Sequence, residues 1–137
     1  MRMIQCLLLI DDDPEELDIL TEALNGVTPR IRCVYAKGAE AALKVLHQIT
    51  PDVVFIDINM PKIDGIECLA LLRNMKLPEQ VDVFIYSNFI DDKVCKLALE
   101  MGAKDCIKKP YSILQLKAIL RKVLQVADAD EFVQNRK

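Results

Sequence analysis

Glycine and proline are scarce, with 4 Gly and 6 Pro among 137 residues, a content that excludes collagen-like and disordered chains. Histidine occurs once, as His47, and reads as a surface residue on a predicted helix. The five cysteines, Cys6, Cys33, Cys68, Cys95 and Cys106, are odd in number, widely spread and free of any C-x-x-C pair. That argues against a disulfide framework and a structural zinc site, so they read as small core fillers in a reducing compartment. Basic residues are not in excess: 18 Lys plus Arg stand against 21 Asp plus Glu, for a formal charge of −3. No positive field exists to hold a phosphate backbone, and direct nucleic-acid binding is not expected. Long hydrophobic runs are also missing. The apolar stretch over residues 3–10 is too short to cross a bilayer and meets Asp11, Asp12 and Asp13 where a signal peptide would carry small residues. A cytoplasmic setting without a membrane segment is expected.

What is present suits one compact domain. Apolar residues make up 52% of the chain and charged residues 28%, and the length matches the ~100 to 200 residues of a single unit. Residues 1–127 read as that domain, and residues 128–137 as a tail that extends the last helix. Short apolar runs at residues 6–10, 31–36, 53–56, 83–86 and 105–108 alternate with amphipathic stretches, the signature of a parallel sheet covered by helices. The first, third and fourth runs are continuously apolar, as strands buried on both faces must be. Arg32 in the second and Asp105 and Lys108 in the fifth suit sheet edges. The expected fold is therefore α/β, a doubly wound five-stranded parallel sheet of order 2-1-3-4-5, flavodoxin-like.

Helix ends are readable as well. Asp13, Pro14 and Glu16 form the pattern of N-cap, first turn and capping box, with Gly26 just past the helix end. Asp91 or Asp92 caps a fourth helix that presents Val94, Leu97, Ala98 and Met101 on one face and stops at Gly102. Ser112 with Gln115 opens a fifth helix, buried through Leu116, Ile119, Leu120, Val123 and Leu124. The second and third helices fall near residues 39–48 and 65–75.

In such a sheet functional groups collect beyond the carboxyl ends of the strands. Asp11 and Asp12 follow the first strand, Asp57 ends the third, Ser87 the fourth and Lys109 the fifth. Three carboxylates in one pocket repel each other unless a cation intervenes, and oxygen ligands in a partly solvated site suit Mg²⁺. Lys109 adds a fixed positive charge, and the Ser87 hydroxyl can donate to a phosphoryl oxygen. An X-Pro bond in the cis form at Lys109–Pro110 would aim this lysine inward. An aspartate can act as the nucleophile of phosphoryl transfer, with alignment and charge neutralisation supplying the catalysis. Each residue alone has a plainer reading: Asp13 and its neighbours as a helix cap, Asp57 and Asn59 as turn formers, Ser87 and Asn88 as loop capping. Their joint placement is what points to a site.

These residues resemble the receiver domain of two-component response regulators over roughly residues 3–126. The run from Leu7 to Pro14 is similar to the family's acidic-pair strand end, and that from Pro51 to Pro61, followed by Asp64 and Gly65, to its phosphoacceptor strand and loop. Ser87 and Lys109-Pro110 complete the pattern. The resemblance implies that Asp57 takes a phosphoryl group from a histidine kinase or a histidine phosphotransfer protein. It implies too that Asp12, Asp57 and the Asn59 main-chain carbonyl hold Mg²⁺, with Asp11 acting through a bound water.

Three positions depart from the commonest pattern. Cys106 stands where the family usually has a Tyr or Phe whose rotamer reports phosphorylation. Asn88 stands where Ala or Gly is common, and Phe89 follows it, so access to the phosphoryl group is expected to be tighter than usual. No output domain is expected after the fifth helix, so the chain reads as a single-domain regulator that signals to an unknown downstream protein. On phosphorylation Ser87 is expected to move towards the phosphoryl group, with Ser87, Asn88, Phe89 and Cys106 as the switch residues. A Cys106 side chain is too small to carry a large rotamer change, so the shift is expected to run through residues 87–92 and the start of the fourth helix. A monomer is expected, with dimer formation on activation. Two other readings remain: a phosphorylation-independent scaffold of the same fold, and an aspartyl-nucleophile phosphatase, for which Asn59 lacks the usual second acid. Beyond its own Mg²⁺-dependent phosphorylation and dephosphorylation, no enzymatic activity is expected.

Overall fold

The computed structural model describes residues 4–125. The expected tail at 128–137 lies outside the described residues. Five strands, β1 (Cys6–Ile10), β2 (Arg32–Ala36), β3 (Val53–Ile56), β4 (Asp82–Ser87) and β5 (Asp105–Lys108), alternate with five helices. The helices are α1 (Glu15–Val27), α2 (Ala39–Leu46), α3 (Gly65–Asn74), α4 (Asp92–Glu100) and α5 (Ile113–Val123). All strand pairs are parallel and the order is β2-β1-β3-β4-β5, the doubly wound flavodoxin-like arrangement that the apolar runs predict.

Alternation along the strands feeds two cores. Leu8, Ile10, Val54, Ile56, Val83 and Ile85 face α2, α3 and α4. Leu7, Leu9, Val53, Phe55, Phe84 and Tyr86 face α1 and α5. Central strands β1 and β3 are buried almost throughout, whereas Arg32 on β2 and Asp105 and Lys108 on β5 are exposed at the edges, as continuous and broken apolar runs require.

Three helix ends behave as the local chemistry predicts. Asp91 accepts from the Val94 amide at 2.8 Å to cap α4, and Ser112 accepts from the Gln115 amide at 3.1 Å to cap α5. Gly102, at φ +101°, follows the end of α4. The start of α1 differs from expectation. Pro14 already has helical dihedrals and makes no side-chain cap; Asp13 instead accepts from the Glu15 amide at 3.0 Å. Glu16 is not part of a capping box, because its side chain turns to the buried Lys109. Gly26 lies inside α1, which runs on to Val27.

The full capping box belongs to α3: Asp64 accepts from the Glu67 amide at 2.9 Å, and Glu67 accepts from the Asp64 amide at 3.3 Å. Next to it, Gly65 is required by close approach. A Cβ there would collide with the Asp57 carbonyl and lie 2.6 Å from Ile58 Cα. The Gly65 amide also donates to the Ile58 carbonyl at 3.0 Å, so α3 begins directly against the loop after β3.

Candidate functional site

Ladder hydrogen bonds continue one residue past the strands and carry the site residues to one end of the sheet. The Asp11 amide donates to Ala36 O at 3.2 Å, Asp57 to Ile10 O at 2.9 Å and Lys109 to Ser87 O at 2.9 Å. Parallel register does the rest, since Ile10 is paired with Ile56, Ile56 with Ile85 and Ser87 with Lys108. Asp11, Asp57, Ser87 and Lys109 are buried there, and Asp12 is half-buried.

Asp57 is held on both oxygens. Its Oδ1 accepts from the Ser87 hydroxyl at 2.6 Å and from the Asn59 amide at 3.2 Å; its Oδ2 lies 3.6 Å from Lys109 Nζ. Ser87 thus already donates to the carboxylate of Asp57. The Asn59 side chain donates to Ser87 Oγ at 3.0 Å and reaches the Phe89 carbonyl at 3.5 Å. Phe89 itself is 80% exposed, so its ring does not cover the site as the sequence suggests.

Lys109 is the electrostatic centre. Its ammonium makes a 2.8 Å ion pair with Asp11 Oδ2, lies 3.6 Å from both Glu16 and Asp57, and sits 5.6 Å from the centre of the Tyr86 ring. Burial alone would lower its pKa, but Asp11, Asp57 and Glu16 outweigh that and hold it above the ordinary lysine value. Among the described residues no peptide bond is cis. The expected cis bond between Lys109 and Pro110 is therefore corrected to trans, because the β5 ladder bond and the pull of three carboxylates already aim the lysine inward.

Asp11 is fully buried. Burial pushes its carboxyl up to about 6, against the opposing pull of Lys109 and the Asp13 amide. The Asp13 amide donates to Asp11 Oδ1 at 3.0 Å, and the Tyr35 hydroxyl donates to the Asp11 main-chain carbonyl at 2.8 Å. Glu16 and Tyr35 are site residues that sequence reasoning missed. Glu16 was visible only as a capping acid, and Tyr35 only as a member of the apolar run at 31–36.

Oxygen atoms of Asp11, Asp12 and Asp57 lie within 4.8 Å of one another. Three of the four carboxylates at this end of the sheet, Asp11, Asp57 and Glu16, share the one ammonium of Lys109, and Asp12 adds a further negative charge beside them. This excess of negative charge on hard oxygen donors fits a divalent cation. The residues expected at the switch do not all converge: Asn88 and Phe89 are exposed at the rim, and Cys106 lies on β5, paired with Ile85 in the ladder. Cys106 is also bonded to Cys95 as a disulfide, which corrects the reading of every cysteine as an isolated core filler. The pairing was illegible because the residues are 11 apart on different elements, and only the packing of α4 on β5 brings them together.

Residues 7–121 match the family model described as the response regulator receiver domain. Among curated proteins, the chain is 35% identical over 118 residues to a probable C4-dicarboxylate response regulator, DctR, of Bacillus subtilis, covering 86% of this chain and 51% of that protein. The chain thus spans about half, or less, of the length of the curated relatives it matches. Among solved structures, it is similar to the response regulator domain of CheB from Thermotoga maritima, with 28% identity, a TM-score of 0.75, and coverage of 90% and 95% of the two chains. The Mn²⁺-bound form of response regulator Rcp1 shares the fold, with a TM-score of 0.77 at 20% identity and coverage of 90% and 97%.

Proposed function

Because this chain belongs to the response regulator receiver domain family, we propose that Asp57 is its phosphoacceptor. The observation that carries this reading is the environment of one carboxylate. Asp57 ends a central strand with a hydroxyl donor, a buried ammonium and two further acids within reach of a common cation. The donor is a phosphohistidine of a histidine kinase or a histidine phosphotransfer protein. An Asp57 carboxylate oxygen attacks phosphorus, the O–P bond forms as the N–P bond breaks, and the leaving imidazole keeps the electron pair and takes up a proton.

The chain's own groups supply alignment and charge. Lys109 neutralises a phosphoryl oxygen, and Ser87 redirects its hydroxyl from Asp57 Oδ1 to another. Asp11, Asp12, Asp57 and the Asn59 main-chain carbonyl would hold Mg²⁺, whose charge would offset carboxylate repulsion and that of a phosphoryl oxygen. Ser87 Oγ also accepts from the Asn59 side chain, which reaches the Phe89 carbonyl, so a displacement of Ser87 is felt at both. The signal then passes along residues 87–92 into α4, and a downstream protein reads the surface of α4, β5 and α5 in a cytoplasmic setting. The domain acts as a phosphoacceptor and does not turn over small phosphate esters.

Incubation with acetyl phosphate and Mg²⁺ should give an acid-stable, base-labile acyl phosphate on wild type and none on Asp57→Asn. Undiminished labelling of the variant would move the acceptor elsewhere.

A further inference from the structure

The cysteines fall into two groups. Cys6, Cys33 and Cys68 are free thiols. Burial raises the pKa of each, to about 11 for Cys33 and about 12 for Cys68, so little thiolate exists near neutral pH and these residues are poor nucleophiles. Cys95 and Cys106 differ in being bonded to each other; both are half-buried, as Cys6 and Cys33 are, so a small reagent can reach the pair. Their Cα atoms are 6.0 Å apart, within the range that an ordinary bridge spans.

What the bridge joins gives it consequence. The buried residue of α4 is Ala98, while Leu97 and Leu99 are 45% and 44% exposed. The helix is thus held to the sheet by a narrow apolar contact, and Cys95 adds a covalent one to the edge strand. Upstream, α4 is fed by the loop that leaves β4 at Ser87, whose hydroxyl touches Asp57, and the loop's Phe89 carbonyl is in reach of the Asn59 side chain.

We propose that Cys95 and Cys106 form a reversible thiol–disulfide site, oxidised by a low-molecular-weight disulfide, whose closed form fastens α4 to β5 and limits the response of α4 to phosphorylation. The coupling to phosphorylation rests on the reading of Asp57 as phosphoacceptor; the redox site itself does not. From the dithiol, one thiolate attacks the reagent disulfide and releases one small thiolate, leaving a mixed disulfide on the protein. The second cysteine thiolate attacks the protein-bound sulfur of that intermediate and expels the other small thiolate. The pair loses two electrons, the reagent gains them, and the two thiol protons end on the two released thiols. Excess reduced thiol runs the sequence backwards.

The whole chain is equilibrated with oxidised or reduced glutathione near neutral pH, alkylated under denaturing conditions, weighed intact and peptide-mapped. Reduced protein should take up five alkyl groups, one per cysteine, and oxidised protein three, on Cys6, Cys33 and Cys68. Cys95→Ser and Cys106→Ser should each abolish the bridge. Amide exchange across α4 should slow on oxidation by on the order of tenfold in wild type and stay unchanged in Cys95→Ser. Adding beryllofluoride with Mg²⁺ should alter α4 exchange in the reduced form and severalfold less in the oxidised form. Equal alkylation after both treatments, glutathione adducts without a bridge, or α4 exchange insensitive to the bridge would overturn the proposal. Acetyl phosphate labelling of the reduced form separates the two readings. Labelling with an equal α4 response in both redox forms defeats the coupling alone. No labelling defeats the phosphoacceptor reading and the coupling with it, while alkylation and exchange still decide the redox site.

Discussion

Asp11 shows how far a residue's chemistry depends on its surroundings. On the sequence it is the first of three equal aspartates; in the fold it alone is fully buried, paired with Lys109 at 2.8 Å and pushed up to about 6. A carboxyl whose pKa rises on folding stabilises the native state below its unfolded value near 3.8 and loses that contribution as pH climbs through about 6. Metal-free protein should therefore lose on the order of 2 to 3 kcal/mol of stability between about pH 4 and 6 from this group. Asp11→Asn should flatten that slope in chemical denaturation, because the amide carries no charge to desolvate and Lys109 keeps Asp57 and Glu16 nearby. An unchanged slope would place the titration on another residue. At Phe89 the ring is exposed while the carbonyl lies near Asn59, so the side chain offers no polar group to orient a water. Phe89→Glu should hasten loss of the phosphoryl group, roughly tenfold or more given the ~10²- to 10⁴-fold scale of general acid–base assistance. The decay of acyl phosphate after removal of acetyl phosphate measures it.

Elements meet the site through their ends, and two glycines separate the cases. Gly65 opens α3 against the main chain of Asp57 and Ile58, where a methyl group has no room and the backbone cannot yield without moving Asp57. Gly65→Ala should cost about 1 to 3 kcal/mol, the usual range for overpacking, and should slow labelling of Asp57 as well. Gly26 lies inside α1, where an added Cβ meets only the end of the Lys117 side chain, 2.5 Å away at Cε, which can swing aside. Gly26→Ala should be neutral or stabilising by up to ~1 kcal/mol, since glycine is costly within a helix. Thermal denaturation of both variants tests the opposite signs. Gly26 was read as a helix stop and Gly65 only as part of a family loop, because neither α5 beside α1 nor the β3 loop beside α3 is visible in the local sequence.

For the whole molecule, the excess of carboxylates over ammonium at one end of the sheet couples cation binding to stability. A cation that binds the native state alone stabilises it by ~2.7 kcal/mol at a hundred times its dissociation constant. Mg²⁺ should accordingly raise the melting temperature of wild type by several degrees. Asp12→Ala should lose this increment with the fold intact. Asp13→Ala should keep it and lose only the ~0.5 to 2 kcal/mol of a helix cap, because its side chain serves the Glu15 amide. Calorimetry with and without Mg²⁺ distinguishes the two, and equal increments would reverse the roles assigned to these neighbours.

The order of the sheet, the helix faces and the convergence of Asp11, Asp12, Asp57, Ser87 and Lys109 were legible in the chain, since apolar periodicity and strand ends are local properties and parallel topology brings strand ends together. Tertiary structure alone decided the rest. Glu16 turns from a presumed cap to Lys109, Tyr35 supports Asp11 from the neighbouring strand, Ser87 already donates to Asp57, and Cys95 meets Cys106. Each of these depends on a side chain's direction across a gap between elements, and the competition of burial, charge and space that sets that direction exists only once the elements have packed.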